Sequence, residues 1–323
     1  MGDTQTETYG IVWNPSKADG GELQDALDAA LRATLGPEDP APEVLWFETT
    51  PEDPGQGATG EALDAGCTVV IAAGGDGTVR AVAERLGASG SPAADLGIVP
   101  LGTGNLLARN LGVPLSTPRA ALERAFTRAA VPLDLGTIET TLADGSTASA
   151  GFVVMVGFGI DAQMIVETDD ELKAKAGWLA YVESLGRAAS STEVVEFSLT
   201  LDDGEPVLEQ AHTLLIANCG SIQGGITLLP DAAPDDGELD LLVLRADGVA
   251  AWLDTMRNMM WDNGLKRLIT RAASAESSDT TTHLRATRVR VSLPRPLVIE
   301  VDGDEIGEVS DFTVSVAPAL RVR

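Results

Sequence analysis

The first 130 residues alternate short apolar runs with segments in which apolar side chains recur every three or four positions. The short runs are typical of buried strands, and the longer spacing is typical of amphipathic helices. Residues 50–60, which contain two prolines and three glycines, predict a loop. Strands that alternate with helices favour a parallel, doubly wound sheet. The expected strands are 9–13, 44–49, 67–73 and 96–100, and the expected helices are 21–35, 61–65, 78–86, 106–111 and 118–130.

The pattern changes after residue 131, where apolar runs are separated by Asp-Gly turn signals. The pairs Asp144-Gly145 and Asp203-Gly204 each lie between two such runs, which is typical of β-hairpins. This half therefore predicts a β-rich domain built as an antiparallel sandwich. Its expected strands are 133–141, 149–157, 197–201, 207–218, 239–245, 288–293, 297–301 and 312–317.

Two helical stretches, residues 162–190 and 249–275, interrupt the β-rich half. One interpretation of the second stretch is a helix that packs on the sheet. The other is a flap that faces a membrane, with Trp and Met side chains in the interface and basic groups on lipid phosphates. The side chains that permit both interpretations are Trp252, Met256, Met259, Met260, Lys266, Arg267, Leu268, Ile269 and Arg271.

The composition restricts the classes of function. A chain of 323 residues has room for about two domains. Its formal net charge of −27 disfavours nucleic-acid binding and opposes adsorption to an anionic membrane. The sequence has no long apolar run and a polar start, so we expect neither a transmembrane helix nor a secretory signal. Cys67 and Cys219 lie in apolar runs and predict buried thiols in a reducing cytosol.

A glycine-rich turn, Gly74-Gly75-Asp76-Gly77-Thr78, follows the third expected strand and runs directly into a helix. Glycines let the backbone approach a ligand closely, and a helix N-terminus offers N–H groups and partial positive charge that suit phosphate. Asp76 adds a carboxylate that can meet Mg²⁺ or a substrate hydroxyl. Taken alone, the motif is equally consistent with a tight turn that binds nothing.

Two further polar turns follow neighbouring expected strands. Pro100-Leu101-Gly102-Thr103-Gly104-Asn105 repeats the glycine-rich plan one βα unit later, and Asn14-Pro15-Ser16-Lys17 follows the first strand. Successive turns of this kind in a parallel sheet point to one crevice. Thr78 and Thr103 can contact phosphate oxygens, although threonine at such positions is also common as a helix cap.

Acidic pairs in the second half are further candidates. Asp302 and Asp304 lie two residues apart and would share a face if the chain were extended, whereas Asp-Gly is also typical of a β-turn. Asp236 lies in the acidic segment 231–240, which can attract a divalent cation or form another Asp-Gly turn.

In their order along the chain, these motifs resemble the diacylglycerol kinase catalytic domain family, which includes bacterial lipid kinases and the sphingosine and ceramide kinases. In the first half the resemblance lies in Asn14-Pro15-Ser16, residues 74–78 and residues 100–105. In the second half, residues 229–240 are similar to the family segment P-x-A-x-x-x-D-G-x-L, and residues 301–304 are similar to V-D-G-E. The resemblance covers nearly the whole chain.

The resemblance implies an ATP- and Mg²⁺-dependent kinase that phosphorylates the hydroxyl of diacylglycerol, or of a similar membrane lipid, to give phosphatidic acid. It implies an ATP-binding α/β domain at residues 1–131, joined by the tail 307–323, and a β-rich lipid-substrate domain at residues 132–306. The implied partners are ATP and a membrane lipid reached by transient peripheral contact from the cytoplasm. Nucleic acid is not expected, and a homodimer is left open.

The resemblance also implies roles for individual residues. Asp304 would be the general base with Asp302 close by, and Glu305 is the alternative base because aspartate is one methylene shorter than the glutamate of the family. Mg²⁺ would be bound by Asp76 and, at a structural site, by Asp236 with backbone carbonyls near Ala233 and Glu238. The ATP contacts would be Asn14, Pro15, Ser16, Gly74, Gly75, Asp76, Gly77, Thr78, Gly102, Thr103, Gly104 and Asn105.

Two departures from the family pattern leave other functions open. Leu106 stands where many members carry Asp, and Asp304 stands where they carry Glu. One alternative is a catalytically silent nucleotide- or lipid-binding protein. Another is an NAD kinase-like or phosphofructokinase-like enzyme with a soluble substrate, because those enzymes also use a Gly-Gly-Asp-Gly turn. The second glycine loop and the Asp236 segment disfavour that alternative.

Overall fold

The structure is a computed structural model that describes residues 7–36, 39–142, 144–159, 194–222, 226–245 and 281–323. The chain divides into two compact units, Met1–Leu135 with Ala317–Arg323, and Gly136–Val316. The helical stretches expected at 162–190 and 249–275 lie outside the described residues, and so does the choice between a packed helix and a membrane flap.

The first unit contains a parallel sheet with the strand order β2-β1-β3-β4. Helix α1 packs against α5, and α2 packs against α3. Every residue of β3 is buried, as its continuous apolar sequence leads one to expect of an inner parallel strand. The predicted parallel α/β fold is therefore confirmed. The elements are β1 (Thr8–Trp13), α1 (Gly20–Thr34), β2 (Glu43–Glu48), α2 (Gln56–Asp64), β3 (Val69–Gly74), α3 (Asp76–Gly87), β4 (Asp95–Pro100), α4 (Leu106–Asn110) and α5 (Pro118–Thr127).

Helix α2 begins at Gln56, inside the stretch that the sequence predicted as a loop. Asp53 explains the early start, because its carboxylate accepts hydrogen bonds from the backbone N–H groups of Gly55 (3.1 Å), Gly57 (2.9 Å) and Ala58 (2.9 Å). These bonds satisfy amides that a helix N-terminus leaves unpaired and offset the low helix propensity of glycine.

The second unit is an antiparallel β-structure, so the prediction of a β-rich second domain is confirmed. The neighbouring strands run in the order β14-β13-β10-β7-β15-β16. In addition, β8 pairs with β15 and β9 pairs with β8, while β5 pairs with β16 and β6 pairs with β5. Phe152, Phe197 and Phe312 lie in its core. The strands are β5 (Val131–Leu142), β6 (Thr147–Phe152), β7 (Met155–Phe158), β8 (Val195–Leu201), β9 (Val207–Ala211), β10 (Thr213–Ala217), β11 (Ser221–Ile222), β12 (Ile226–Thr227), β13 (Leu239–Leu244), β14 (Thr281–Ala286), β15 (Arg288–Val301) and β16 (Asp304–Val322).

The structure divides two segments that the sequence predicted as single strands. The segment 149–157 forms β6 and β7, with Val153 and Val154 between them, and the segment 207–218 forms β9 and β10, with His212 between them. At His212 the chain leaves β8, the partner of β9, for β7 and β13, the partners of β10. Neither change of partner is visible in the local apolar pattern.

The end of β16 returns to the first unit, where Val322 pairs in parallel with Leu96 of β4. Asp95, which is 4% exposed, accepts hydrogen bonds from Nε of Arg321 (2.7 Å) and Nε of Arg323 (2.9 Å). A buried carboxylate with two guanidinium partners fixes the last residues of the chain against the sheet.

Candidate active site

Three turns of the first unit lie at the carboxyl edge of its parallel sheet. The N–H of Asn14 donates to the carbonyl of Ala73 (3.0 Å), and the N–H of Leu101 donates to the carbonyl of Gly74 (2.8 Å), so β1, β3 and β4 end side by side. From β1 the chain adds β2 on one side of the sheet, and it then adds β3 and β4 on the other side. The order of the strands therefore reverses between β1 and β3. In open α/β sheets, ligands bind outside the carboxyl ends of the strands at such a switch point.

The two glycine loops pack directly on each other. A Cβ placed on Gly102 would lie 2.7 Å from the Cα of Gly75, and a Cβ placed on Gly104 would lie 2.6 Å from Oδ2 of Asp76. Such distances leave no room for a side chain, so these glycines are required for the loops to meet. Thr78 is buried and lies under Gly74, where a Cβ would be 2.6 Å from Oγ1 of Thr78. Thr103, by contrast, is exposed.

Asp76 links the two loops through its carboxylate. Oδ2 accepts a hydrogen bond from the N–H of Asn105 (2.8 Å), and Oδ1 accepts one from the N–H of Leu106 (2.6 Å). Both amides belong to the start of α4, so Asp76 caps that helix from the first turn of α3. The sequence identified Asp76 as a site residue but gave no sign of these partners, and it considered only the side chain of Leu106.

Asn105 closes the second loop on itself. Its backbone is left-handed, with φ of 48°, a conformation that asparagine tolerates better than most residues. Its side-chain oxygen accepts from the N–H of Gly102 (3.0 Å), and its side-chain nitrogen donates to the carbonyl of Gly102 (2.6 Å). Nε of Arg109 also donates to the carbonyl of Gly104 (2.7 Å). The loop shape is therefore fixed by the protein itself.

The turn after β1 is fixed in the same manner. The side-chain oxygen of Asn14 accepts from the N–H (2.9 Å) and the hydroxyl (2.7 Å) of Ser16, and the carbonyl of Asn14 accepts from the N–H of Lys17 (3.0 Å). Pro15, Ser16 and Lys17 are exposed. Asn14 thus shapes the turn and leaves the following three residues open to solvent.

The second unit contains the candidate base residues on a tight hairpin. Val301 pairs with Asp304, and Asp302 and Gly303 between them have φ of 50° and 92°, as expected for a two-residue hairpin turn. The chain is therefore not extended at this point, and Asp302 and Asp304 do not share a strand face. Asp304 and Glu305 are exposed.

Asp302 is 7% exposed and organises the break between β6 and β7. Its carboxylate accepts hydrogen bonds from the N–H groups of Val153, Val154 and Met155, each at 2.9 Å. Its own N–H donates to the carbonyl of Met155 (2.9 Å). A carboxylate with this many charge-assisted bonds has a positioning role that the sequence did not reveal.

Arg285 on β14 binds the carboxylates of the proposed structural metal site. It donates to Asp236, forms an ion pair with Glu238 at 2.9 Å and lies 3.5 Å from Asp240. Asp236 also accepts a hydrogen bond from the N–H of Glu238 (3.0 Å). Burial raises the pKa of Asp240 to about 6, although Arg285 opposes the shift.

These contacts test whether the residues fit a resident Mg²⁺. Both oxygens of Asp236 are already hydrogen-bonded, and so are both oxygens of Asp76. Within the described residues, no group of three or more His, Cys, Asp or Glu side chains is arranged to hold a metal ion. Arg285 already supplies positive charge at the Asp236 carboxylate, so an ion held there would compete with an existing ion pair. The Mg²⁺ ligand set of Asp236 with the carbonyls near Ala233 and Glu238 stays a prediction.

Cys67 and Cys219 are buried free thiols. Burial raises the pKa of both thiols, which makes them poor nucleophiles. Among the helices that the structure describes, none combines the length and the apolar content needed to cross a membrane.

Comparison with known families divides the chain in the same order as the fold. The model of the diacylglycerol kinase catalytic domain matches residues 10–138. The model of the YegS C-terminal NAD kinase beta sandwich-like domain matches residues 154–322. Together they define a two-part kinase, with a catalytic α/β portion followed by a β-sandwich portion.

Individual relatives agree with this assignment. A "Probable lipid kinase YegS-like" of Stenotrophomonas maltophilia (strain K279a) is 31% identical, with 98% of this chain and 96% of the relative covered. A protein of the same name from Xanthomonas euvesicatoria pv. vesicatoria (strain 85-10) is 35% identical, with 96% and 93% covered. The chain therefore belongs to the diacylglycerol kinase catalytic domain family of lipid kinases.

Solved structures show the same fold. The crystal structure of a diacylglycerol kinase from Bacillus anthracis str. Sterne has a TM-score of 0.66 at 20% identity and covers 99% of this chain and 97% of its own. Two further structures from that organism have TM-scores of 0.70 and 0.71, at 24% and 22% identity, and each covers 99% of this chain. At these identities the likeness concerns the fold.

Proposed function

We propose that this protein transfers the γ-phosphate of ATP to the hydroxyl of diacylglycerol, or of a similar membrane lipid, and so forms phosphatidic acid. The observation that carries the proposal is the pair of glycine loops that Asp76 joins at the switch point of the parallel sheet. Phosphoryl transfer depends mainly on positioning and charge stabilisation, and a preformed glycine-rich surface beside a helix N-terminus serves both.

The phosphates of ATP would lie against the loop 74–78, with the turn 14–16 and the loop 102–105 beside them. Helix α3 begins at Asp76, and its N-cap residue Gly75 supplies no side-chain hydrogen bond to the first amides, which suits this helix start for an anion. Asp76 and Asn105 would act by holding the loops, because their side chains bond to backbone groups. Exposed Ser16 and Thr103 would contribute hydroxyl contacts.

In the proposed reaction, the lipid hydroxyl oxygen forms a bond to the γ-phosphorus while the bond from that phosphorus to the bridging oxygen of ADP breaks. The hydroxyl proton passes to the carboxylate of Asp304, with Glu305 as the alternative acceptor. Both carboxylates are exposed at the start of β16 and accessible to a substrate. Asp302 would keep the hairpin in place through its three backbone contacts.

Mg²⁺ would enter as the MgATP complex, where it neutralises phosphate charge. The ion is thus part of the substrate in this proposal. The carboxylates of the Asp236 segment have Arg285 as their positively charged partner. The lipid would be met at a membrane surface from the cytoplasm by peripheral contact.

The test is transfer of labelled γ-phosphate from MgATP to a panel of lipids in mixed micelles, with soluble NAD and sugar phosphates as parallel substrates. We expect label in a lipid with a free hydroxyl, and about a 10²-fold or greater loss in Asp304→Asn if this carboxylate is the base. Asp311→Asn, on the same strand and also exposed, is the matched control.

Label in a soluble acceptor alone would overturn the lipid assignment. ATP binding without any transfer would indicate a silent binding protein. A larger loss in Glu305→Gln than in Asp304→Asn would move the role of base to Glu305.

A further inference from the structure

Lys17 lies over the first glycine loop, at the switch point of the sheet. Its Cε is 4.0 Å from the position that a Cβ would take on Gly75, and the Cα of Gly102 is 3.6 Å from the same position. A lysine side chain, the backbone of the first loop and the backbone of the second loop therefore converge on one small region. Any side chain on Gly75 would enter this region.

The backbone of Lys17 is held in place by the turn that precedes it. Its N–H donates to the carbonyl of Asn14 (3.0 Å), and the N–H of Asn14 donates to the end of β3 at Ala73 (3.0 Å). The stem of the lysine is therefore anchored to the strand that leads into the glycine loop.

The charge of Lys17 is available to a ligand. Its side chain is exposed and forms no ion pair with any residue in the described ranges. An uncommitted cation is notable in a chain whose formal net charge is −27. It stands beside the start of α3, where the helix dipole also favours an anion, whereas the carboxylate of Asp76 is directed to the amides of the second loop.

We propose that Lys17 binds the terminal phosphates of the nucleotide and neutralises their charge during transfer. An ammonium group on a flexible stem acts as a point charge and can follow a phosphoryl group that moves. The ligand chemistry is that of a nucleoside di- or triphosphate, since a monophosphate would place less charge beside the lysine. The inference deepens the proposed function and rests on ATP as the phosphate donor.

The experiment measures equilibrium binding of ATP, ADP and AMP, each with Mg²⁺, to the full chain and to Lys17→Met, which keeps the length of the stem without its charge. We expect the affinity for ATP to fall about 10- to 100-fold and the affinity for AMP to change less than about 3-fold. Lys17→Arg should recover part of the loss. Arg32→Met is the matched control, because Arg32 is exposed in the last turn of α1 and its loss changes the net charge equally.

The outcomes separate this inference from the proposed function. If the wild type binds ATP and phosphorylates lipid, and Lys17→Met keeps the same ratio of ATP to AMP affinity, the role of Lys17 is overturned and the function stands. If Lys17→Met lowers the affinity for ATP more than the affinity for AMP, but the wild type labels no lipid, the role of Lys17 stands and the proposed function fails. If the wild type binds no ATP, both are overturned. Equal thermal unfolding midpoints for the variants would exclude misfolding as the cause.

Discussion

At the scale of single residues, Asp76 shows how one carboxylate can join two loops through backbone amides. It lies in the first turn of α3 and binds the first amides of α4, which lie 29 and 30 residues further along the chain. The closed shape of the second loop depends on these bonds and on the side chain of Asn105. Gly102 and Gly104 leave room for the two loops to pack together, whereas the hydrogen bonds of Asp76 keep them together.

We predict that Asp76→Asn lowers both stability and transfer. An amide has one acceptor oxygen, so one of the two backbone N–H groups would face an NH₂ group instead of an oxygen. We expect the free energy of unfolding to fall by about 1–3 kcal/mol. Phosphoryl transfer should fall by about 10²-fold or more, because a misplaced loop misplaces the phosphates. Urea titration and the labelled-phosphate assay measure the two effects.

Asp25→Asn is the control for Asp76→Asn, because Asp25 is exposed on α1 and the change removes the same charge. Wild-type stability and transfer in Asp76→Asn would show that its carboxylate does not hold the second loop.

At the scale of elements, the packing of the two glycine loops depends on backbone contact. We predict that Gly102→Ala weakens ATP binding, because its Cβ would lie 2.7 Å from the Cα of Gly75 and backbone would have to move. Gly60→Ala is the matched control, since the nearest atom to its Cβ, on the flexible side chain of Arg85, is 3.5 Å away. In the helix α2 this control should be neutral or stabilise by about 0.5–1 kcal/mol. Calorimetric titration with ATP and thermal unfolding distinguish the two variants.

The strand pair β13–β14 leads to a prediction on metal dependence. Arg285 lies opposite Asp240 in the register and also binds Asp236 and Glu238. We predict that removing divalent ions with EDTA leaves the unfolding midpoint of the wild type unchanged. Arg285→Met should lower the midpoint by roughly 3–8 °C, because the buried carboxylate of Asp240 loses its cation. Added Mg²⁺ should then restore part of the loss.

Arg288→Met, which removes an exposed arginine at the start of β15, should show neither effect. A fall in the wild-type midpoint on chelation would instead indicate a resident metal ion at the acidic segment.

At the scale of the whole molecule, the two ends of the described chain meet in the first unit. Arg323 donates to Glu7 (3.0 Å from Nη1 to Oε2) and to Asp95, and Tyr9 donates to Glu7 (2.5 Å). The hydrogen bond from Arg323 holds the pKa of Glu7 below its ordinary value of 4.5. The last strand of the chain thereby stabilises the sheet that carries the glycine loops.

This contact predicts a pH dependence with a definite sign. Because the folded pKa of Glu7 is lowered, its contribution to stability is present above pH 4.5 and is lost as the pH falls through the folded pKa. Glu7→Gln should therefore be less stable than the wild type at pH 7, and the difference should shrink below pH 4.5. Denaturant titrations at several pH values measure it. Glu52→Gln, at an exposed loop position, should have nearly the stability of the wild type at every pH. A difference in stability between Glu7→Gln and the wild type that does not change with pH would refute the role of Glu7 in this pH dependence.

The sequence determined the features that depend on neighbours along the chain. The apolar pattern gave the strands and helices of the first unit to within a few residues at most ends, and the turn residues located the glycine loops and the hairpins. The order of these motifs was sufficient to indicate the family. Local patterning carries this information because strand and helix periods are set by adjacent residues.

The tertiary structure alone decided the partners of the charged side chains. Asp76 and Asn105 are 29 residues apart, Asp236 and Arg285 are 49 apart, and Val154 and Asp302 are 148 apart. It also divided the strand 149–157, because the amides of Val153 and Val154 turn to Asp302. Such contacts depend on which strands become neighbours in the sheet, and no local period of apolar and polar residues specifies that choice.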